Sequence, residues 1–334
     1  DARQQGRARA SARVEAADGR HGHVNVLLAG QQRAGTEEAV PVRQDFQNAG
    51  GWLAFTKLPI DAFPDTTPVQ VQINTTVAAL NPQETEAQIT VPVELAITTN
   101  GVLVDQFVDV FKEAGLRSVN VSLDSLRPER MQAISRRDPF ARTTANIRLL
   151  QDAGFHVKVN MVVMRGVNDD EVTDFMAWSR NEPVHVRFIE FMPFDGNRWD
   201  WSKGVSGEEI LARATERFGA TGYERLTDRP NDTARNYRLQ GGQGTFAVIS
   251  SVTNPFCDSC NRIRLTADGK LKNCLFSQSE TDLLTVLRSG GDIKDLIIGS
   301  VLNKKAVRGG MDSFEQLADP VRHGANRSMV AIGG

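Results

Sequence analysis

Apolar and polar positions along this chain alternate with two different periods, and the switches between them mark out its elements. Residues 95–97 are apolar and run into Thr98-Thr99-Asn100-Gly101, the pattern of a strand ending in a polar turn. Val104, Phe107, Val108 and Phe111 fall at i, i+3, i+4 and i+7, which predicts a helix closed by Gly115. Ser118 to Asp124 (SVNVSLD) reads as the next strand, followed by helical sequence through Leu149 and Leu150 to Gly154. A third strand is expected over His156 to Val163, a helix around Val172, Phe175 and Met176, and a fourth strand over Val184 to Phe191. Strand then helix, repeated, predicts an α/β fold of parallel βα units with its active groups at the carboxyl ends of the strands. Ser206 and Glu209 have the spacing of a capping box that opens a further helix. Beyond about residue 220 the pattern breaks into short strands and a hairpin, with helices expected near 280–289 and 292–303.

Before residue 95 the texture differs. Residues 1–50 are rich in Ala, Arg, Gln and Gly, and read as a disordered leader. Val69, Val71 and Ile73 then alternate with Gln70, Gln72 and Asn74, the period of a half-buried strand, and Asn81-Pro82 is expected to open a helix. No apolar run reaches the length of a membrane span. A net charge of −2 argues against general attraction to nucleic acid or anionic lipid.

The three cysteines of the chain, Cys257, Cys260 and Cys274, lie within eighteen residues. An odd, clustered set argues against a disulfide framework and for a reducing, cytoplasmic setting. Asp268-Gly269 suits a two-residue hairpin loop, which would set Cys274 opposite Ile263 and bring the sulfurs to one end of the hairpin. Three thiolates without an obvious fourth ligand suit an iron–sulfur cluster with one open iron; zinc or unligated thiols remain alternatives. Asn261, Arg262 and Arg264 beside them suit an anionic or hydrogen-bonding ligand. The βα strands share a second habit, polar residues on or just past each one: Thr98 and Asn100, then Asn120, Ser122 and Asp124, then Lys158 and Asn160, then Arg187 and Glu190. Lys158 and Arg187 need partners there, either an anionic ligand or a structural pair with Glu190 or Asp124.

From about Ile97 to Gly334 the chain resembles the GTP 3′,8-cyclases, radical S-adenosylmethionine enzymes of molybdenum-cofactor biosynthesis. The matching motifs are TTNG at 98–101, AGL..VNVSLDSL at 114–126, KVN at 158–160, RFIEFM at 187–192, FCDSCNRIRLTADGKLKNCLF at 256–276 and RSMVAIGG at 327–334. The resemblance implies an incomplete (β/α) radical-SAM barrel over 96–220 and a C-terminal cluster-binding α+β region over 221–334. It implies that Cys257, Cys260 and Cys274 hold a [4Fe-4S] cluster whose open iron takes the base of GTP. Thr98, Lys158, Arg187, Arg262, Ile263, Arg264 and the terminal Gly333 and Gly334 match positions at the GTP site, and Ser122 and Met192 match S-adenosylmethionine contacts. The family implies conversion of GTP to a cyclic pyranopterin precursor, a downstream cyclic pyranopterin monophosphate synthase as partner, and a homodimer.

One departure matters. The family's second cluster needs a C-x3-C-x2-C loop near the N-terminus, and no cysteine precedes Cys257. Turnover is therefore expected to be impaired, with a non-catalytic GTP and iron–sulfur binding module or a zinc-stabilised fusion product as alternatives. Residues 58–94 are also similar to the periplasmic part of heavy-metal efflux pumps of the resistance-nodulation-division type. The segment 51–95 is accordingly expected to be foreign to the cyclase barrel, whose sheet would then begin at an exposed edge.

Overall fold

In the computed structural model, the described residues are 96–319, apart from 195, 196, 198, 230 and 267, together with 326, 327 and two strands nearer the N-terminus. The chain divides into two units, residues 1–95 with 109–116, and the rest. In the first, β1 (Gly22–Leu27) pairs antiparallel with β2 (Gln72–Val77). β1 interrupts the stretch read as a leader, where the alternation of HVNVL is too brief to stand out from its surroundings. β2 meets the expected strand only over residues 72–74. The helix expected after Asn81-Pro82 lies outside the described residues, as do Gly333 and Gly334.

In the second unit, β3 (Ala96–Thr99), β4 (Ser118–Ser122), β5 (His156–Val163) and β6 (Val184–Glu190) are parallel neighbours in that order. β9 (Thr245–Ile249) continues the sheet parallel to β6, and β8 (Arg235–Leu239) and β7 (Tyr223–Arg225) finish it antiparallel. In chain order α1 (Val108–Glu113), which from Asp109 on counts with the first unit, follows β3; α2 (Pro128–Ser135), α3 (Phe140–Asp152), α4 (Val172–Asn181) and α5 (Gly207–Phe218) come between the later strands of the second unit. All four expected strands are present. The helix expected from Val104 is split, with a 3-10 turn over Val104–Gln106 before α1.

The two faces of this sheet differ sharply. Val119, Val121, Val157, Val159, Met161, Val163, Val186 and Phe188 are buried, as are Ile147 and Leu150 of α3, Phe175 and Met176 of α4, and Ile210 of α5. Phe188 meets Phe175 and Phe246 edge-on, with ring centroids 6.5 and 6.4 Å apart. Each such side chain contributes about 1.5–3 kcal/mol on burial, so this face carries the stability of the unit. The intervening positions, Asn120, Ser122, Lys158, Asn160, Arg187 and Ile189, are only half-buried and form the opposite face. β3 ends the sheet among the described residues, its side chains alternately exposed and half-buried. The TTNG turn after it depends on Gly101, which has φ +78°; a Cβ there would lie 2.8 Å from Val121. The capping box is formed: Ser206 Oγ accepts from the Glu209 amide at 3.2 Å, and Glu209 accepts in return from the Ser206 amide at 3.4 Å.

The C-terminal region is built from short pieces. β10 (Arg264–Leu265), β11 (Lys270–Lys272) and β12 (Thr281–Asp282) form an antiparallel sheet, followed by α6 (Leu284–Arg288), α7 (Lys294–Leu302) and α8 (Phe314–Ala318). The hairpin is real but its register is one residue off the expected one. Arg264 lies opposite Lys272, and the arms close at Thr266 and Lys270, leaving a three-residue loop. The cause is local: Thr266 Oγ1 accepts from the Lys270 amide at 3.0 Å and donates to Asp268 at 2.6 Å, while Gly269 adopts φ +74°. A left-handed glycine after a tight turn is the signature of that longer loop. Among the described residues no helix is long and apolar enough to cross a membrane.

Candidate functional site

Strand register gathers the polar residues of the half-buried face into two rows. Thr98, Asn120, Lys158, His185 and Thr245 lie side by side across five strands, and Ser122, Asn160, Arg187 and Ala247 form the next row toward the carboxyl ends. Asn120 Nδ2 donates to Thr98 Oγ1 at 3.1 Å. Arg187 donates to Asn160 Oδ1 at 2.8 Å and to Asn120 Oδ1 at 2.9 Å, so neutral amides orient its guanidinium. His185 is buried at 2.7 Å from Thr245 Oγ1, and burial, with Arg187, His156 and Lys158 nearby, lowers its pKa to about 3. Burial chiefly keeps this histidine neutral, with Arg187 and Lys158 adding to the effect, and those two cations give the face the charge that suits an anionic ligand.

Glu190 and Asp124, the carboxylates on or just past these strands, both accept from backbone amides. Glu190 is buried and accepts from Gly207 at 2.9 Å, Val252 at 2.8 Å and Thr253 at 2.9 Å. Asp124 accepts from the Val162 amide at 2.9 Å, and burial raises its pKa to about 6.

Cys257 opens a 3-10 turn, Cys260 caps it, and Cys274 follows β11. The Arg308 amide donates to Cys257 Sγ at 3.4 Å, and Lys304 Nζ donates to Cys260 Sγ at 3.3 Å and to the carbonyls of Cys260 and Arg262 at 3.1 and 2.8 Å. Burial pushes the Cys260 thiol up, but the Arg262 amide and Lys304 together outweigh it, so its pKa falls below the usual thiol value. Cys274 goes the other way, raised first by burial, with Cys257 and Cys260 adding to the rise. Its sulfur therefore senses the other two. Even so, among the described residues no three His, Cys, Asp or Glu side chains are gathered for one metal ion. The donor chemistry nevertheless fits a thiolate-bound cluster: three thiols, N–H donors aimed at two of them, and cations all around.

Lys304 and Arg308 were not singled out from the sequence. Their only advance sign was the pair Gly309-Gly310 closing an otherwise ordinary polar loop. Arg308 is buried with φ 40°, and its guanidinium donates to the carbonyls of Val252, Met311 and Asp312 at 2.7, 3.0 and 2.9 Å. Gly309 (φ +68°) passes so near the cysteine segment that a Cβ would lie 2.8 Å from the Ser277 nitrogen.

Packing places the cysteine segment over the polar face of the sheet. Cys274 joins an apolar cluster of Phe191, Trp199, Phe276 and Met311 together with Val162, Met164 and Met192. Phe256 packs with Ala247, Ile249 and Ile189. Val162 and Ile189 share their strand face with Asn160 and Arg187, two residues earlier on each strand. Of the remaining candidates, Arg262 stacks 5.8 Å over Phe256 and donates to Asn231 O at 2.8 Å. Arg264 is half-buried, with burial and Arg262 lowering its pKa, and Ile263 is exposed.

Two family profiles match this chain back to back: the radical SAM superfamily over residues 74–179, and the C-terminal family of molybdenum cofactor synthesis over 184–309. The chain is 43% identical to the mitochondrial GTP 3′,8-cyclase of Arabidopsis thaliana, over 72% of this chain and 60% of that protein. It is 42% identical to the GTP 3′,8-cyclase of Syntrophomonas wolfei, over 64% of this chain and 66% of that one. The chain belongs to the GTP 3′,8-cyclase family. Molybdenum cofactor biosynthesis protein 1 of Mus musculus is 41% identical over 72% of this chain and 37% of its own length. The chain thus spans between about a third and two thirds of these relatives. Membership fits the fold: a radical SAM α/β sheet with parallel strands, consistent with an incomplete barrel, in a family that implies a [4Fe-4S] cluster and S-adenosylmethionine. The efflux-pump likeness of residues 58–94 finds no support, and the radical SAM match begins inside that segment. Alternating β-branched and polar residues describe any half-buried strand, so a short likeness built on them says little about ancestry.

Proposed function

We propose that this chain binds GTP across the polar face of its sheet and a [4Fe-4S] cluster on Cys257, Cys260 and Cys274, in the manner of a GTP 3′,8-cyclase. The observation that carries the reading is the packing of the cysteine segment over the strand face bearing Lys158 and Arg187. Lys158, Arg187, Arg262 and Arg264 neutralise the triphosphate, Thr98 adds a hydrogen bond, and Ile263, Gly333 and Gly334 are assigned to the same ligand by the family's sequence pattern. Ser122 and Met192 contact S-adenosylmethionine. A cluster held by three protein thiolates supplies one iron open to a substrate atom. Around it, Lys304 and the Arg308 amide donate to the sulfurs of Cys260 and Cys257, and the apolar cluster of Phe191 and Phe276 surrounds Cys274.

In this reading residues 96–220 form the partial barrel and residues 221–334 the cluster and nucleotide region. Cyclisation of GTP is the reaction that the arrangement serves, with a cyclic pyranopterin monophosphate synthase taking the product, in a reducing, cytoplasmic setting and as a homodimer. Cleavage of S-adenosylmethionine requires a second cluster, for which the chain offers no thiolate before Cys257. The chain by itself is therefore a binding protein for GTP and one cluster, with turnover at background level. Anaerobic reconstitution should yield about four irons and four sulfides per chain. Arg187→Ala should weaken GTP binding about tenfold or more by calorimetry. Zinc in place of iron, or unchanged GTP affinity in that variant, would sink the proposal.

A further inference from the structure

The arm that carries Cys274 buries Leu271 and Phe276, but its strand pairing is short. β10 and β11 are two and three residues long, and Leu265 is 65% exposed. Polar contacts to one dipeptide near the C-terminus hold it as well. Asn326 has no exposed surface; its Oδ1 accepts from Lys272 Nζ of β11 at 2.8 Å and its Nδ2 donates to Pro193 O at 3.4 Å, on the chain leaving β6. Lys272 also donates to Ser277 O, just past Cys274. Arg327 forks across two carboxylates, reaching Glu280 at 2.9 and 2.7 Å and Asp268, in the hairpin loop, at 3.2 and 3.1 Å. Two adjacent residues therefore grip the loop of the hairpin, its return arm and the segment beyond, and tie them to the exit of a barrel strand.

We propose that Asn326 and Arg327 are a clasp, positioning residues that fix the Cys274 arm of the hairpin against the end of β6. A planar guanidinium suits this task because one side chain satisfies two carboxylates in set directions, which a lysine cannot do. Asn326 suits its place because both ends of a buried amide are occupied, and removing either leaves a partner stranded. The inference rests on the cysteine assignment only for the reason the arm needs fixing; the clasp itself is a property of the metal-free chain.

The test uses the full chain without iron, so failure to assemble a cluster counts against the proposed function and leaves the clasp to be judged separately. In Arg327→Ala, hydrogen exchange at the Thr266, Leu271 and Lys272 amides should accelerate about tenfold, while amides of β5 and β6 exchange as before. Cadmium(II), a soft probe for thiolates read by its charge-transfer absorbance, should bind about tenfold more weakly. Arg327→Lys, which keeps the charge but not the fork, should recover part of both losses, whereas lost packing alone would not be mended by restoring the charge. Exchange and cadmium affinity that match the parent chain would overturn the clasp. So would acceleration spread evenly through β5 and β6.

Discussion

Phe188 of β6 and Lys272 of β11 are both almost wholly removed from solvent, yet they hold their regions together in opposite ways. Phe188 sits between two other rings, in a sheet face where nearly every second residue is Val, Met or Phe. Lys272 sits between the Ser277 carbonyl and the Asn326 amide oxygen, 4.0 Å from the Glu280 carboxylate, in a hairpin whose neighbouring Ile263 and Leu265 are exposed. The sheet is stabilised by apolar area, which tolerates small shifts of geometry. The cysteine region has a small apolar cluster around Phe276 and Met311 and relies besides on directed bonds from Lys272, Lys304, Arg308 and Arg327, which do not. Such a region keeps its shape only while each donor has its acceptor, and it can open without unfolding the sheet.

Cutting one element from each side tests that contrast most strongly. Phe188→Ala should cost about 3–5 kcal/mol through the cavity it leaves, and urea unfolding should shift as a single transition. Arg308→Met removes the donor that serves three carbonyls at a cost of about 1–3 kcal/mol, within the range for stranding buried polar groups. Its loss of hydrogen-exchange protection should stay within residues 250–319. If Arg308→Met exposed the sheet amides as fully as Phe188→Ala does, the two regions would be one cooperative unit and the contrast would fall.

A pH titration sharpens the same contrast inside the sheet. Asp124 has a folded pKa of about 6, above its ordinary value near 3.8, because burial disfavours its charge. Its contribution to stability is complete below about pH 4 and is lost as pH rises through about 6. His185, lowered to about 3 chiefly by burial, has the opposite slope: its contribution is present above about pH 6.5 and declines as pH falls through about 3. The two partly cancel between about pH 4 and 6 in the parent chain. Asp124→Asn keeps an oxygen for the Val162 amide and should stabilise the fold by up to about 3 kcal/mol at pH 7, with no gain at about pH 4. Denaturant midpoints at the two pH values decide it, and an equal gain at both would remove titration as the cause.

How much of this was legible beforehand follows from the same difference in forces. The strands read easily because apolar alternation is a local signal: Val157, Val159, Met161 and Val163 announce β5 without reference to anything else. The polar face was legible residue by residue, but not its hydrogen bonds, since Arg187 finds Asn120 through register across two neighbouring strands. In the cysteine region the ligand candidates stood out as the only cysteines of the chain, while the residues that hold them did not. Lys304 lies 44 positions from Cys260 and Arg327 lies 59 from Asp268. Long-range polar contacts leave no periodic trace. Even the hairpin register escaped by one residue, because the Thr266 hydroxyl, rather than the Asp-Gly pair alone, selects the loop.

The smallest expected effect separates charge from packing among the cysteines themselves. Cys260 and Cys274 depart from the ordinary thiol in opposite directions, although burial raises both and each accepts from a backbone amide; the difference is that Cys260 also receives an ammonium group, while Cys257 and Cys260 push Cys274 up. Lys304→Met keeps much of the aliphatic stem and removes the charge and the donor. The Cys260 thiol should then move up toward Cys274, and its alkylation by iodoacetamide should need a higher pH, read by peptide mass spectrometry. Global stability should change by less than about 1 kcal/mol, since the ammonium is only partly buried. Cys274 should respond weakly, because Lys304 acts on it only through its charge and donates its hydrogen bond to Cys260 instead. An unmoved Cys260 midpoint would mean that the Arg262 amide alone sets its state. The cation beside it would then serve the loop carbonyls of Cys260 and Arg262 and not the sulfur.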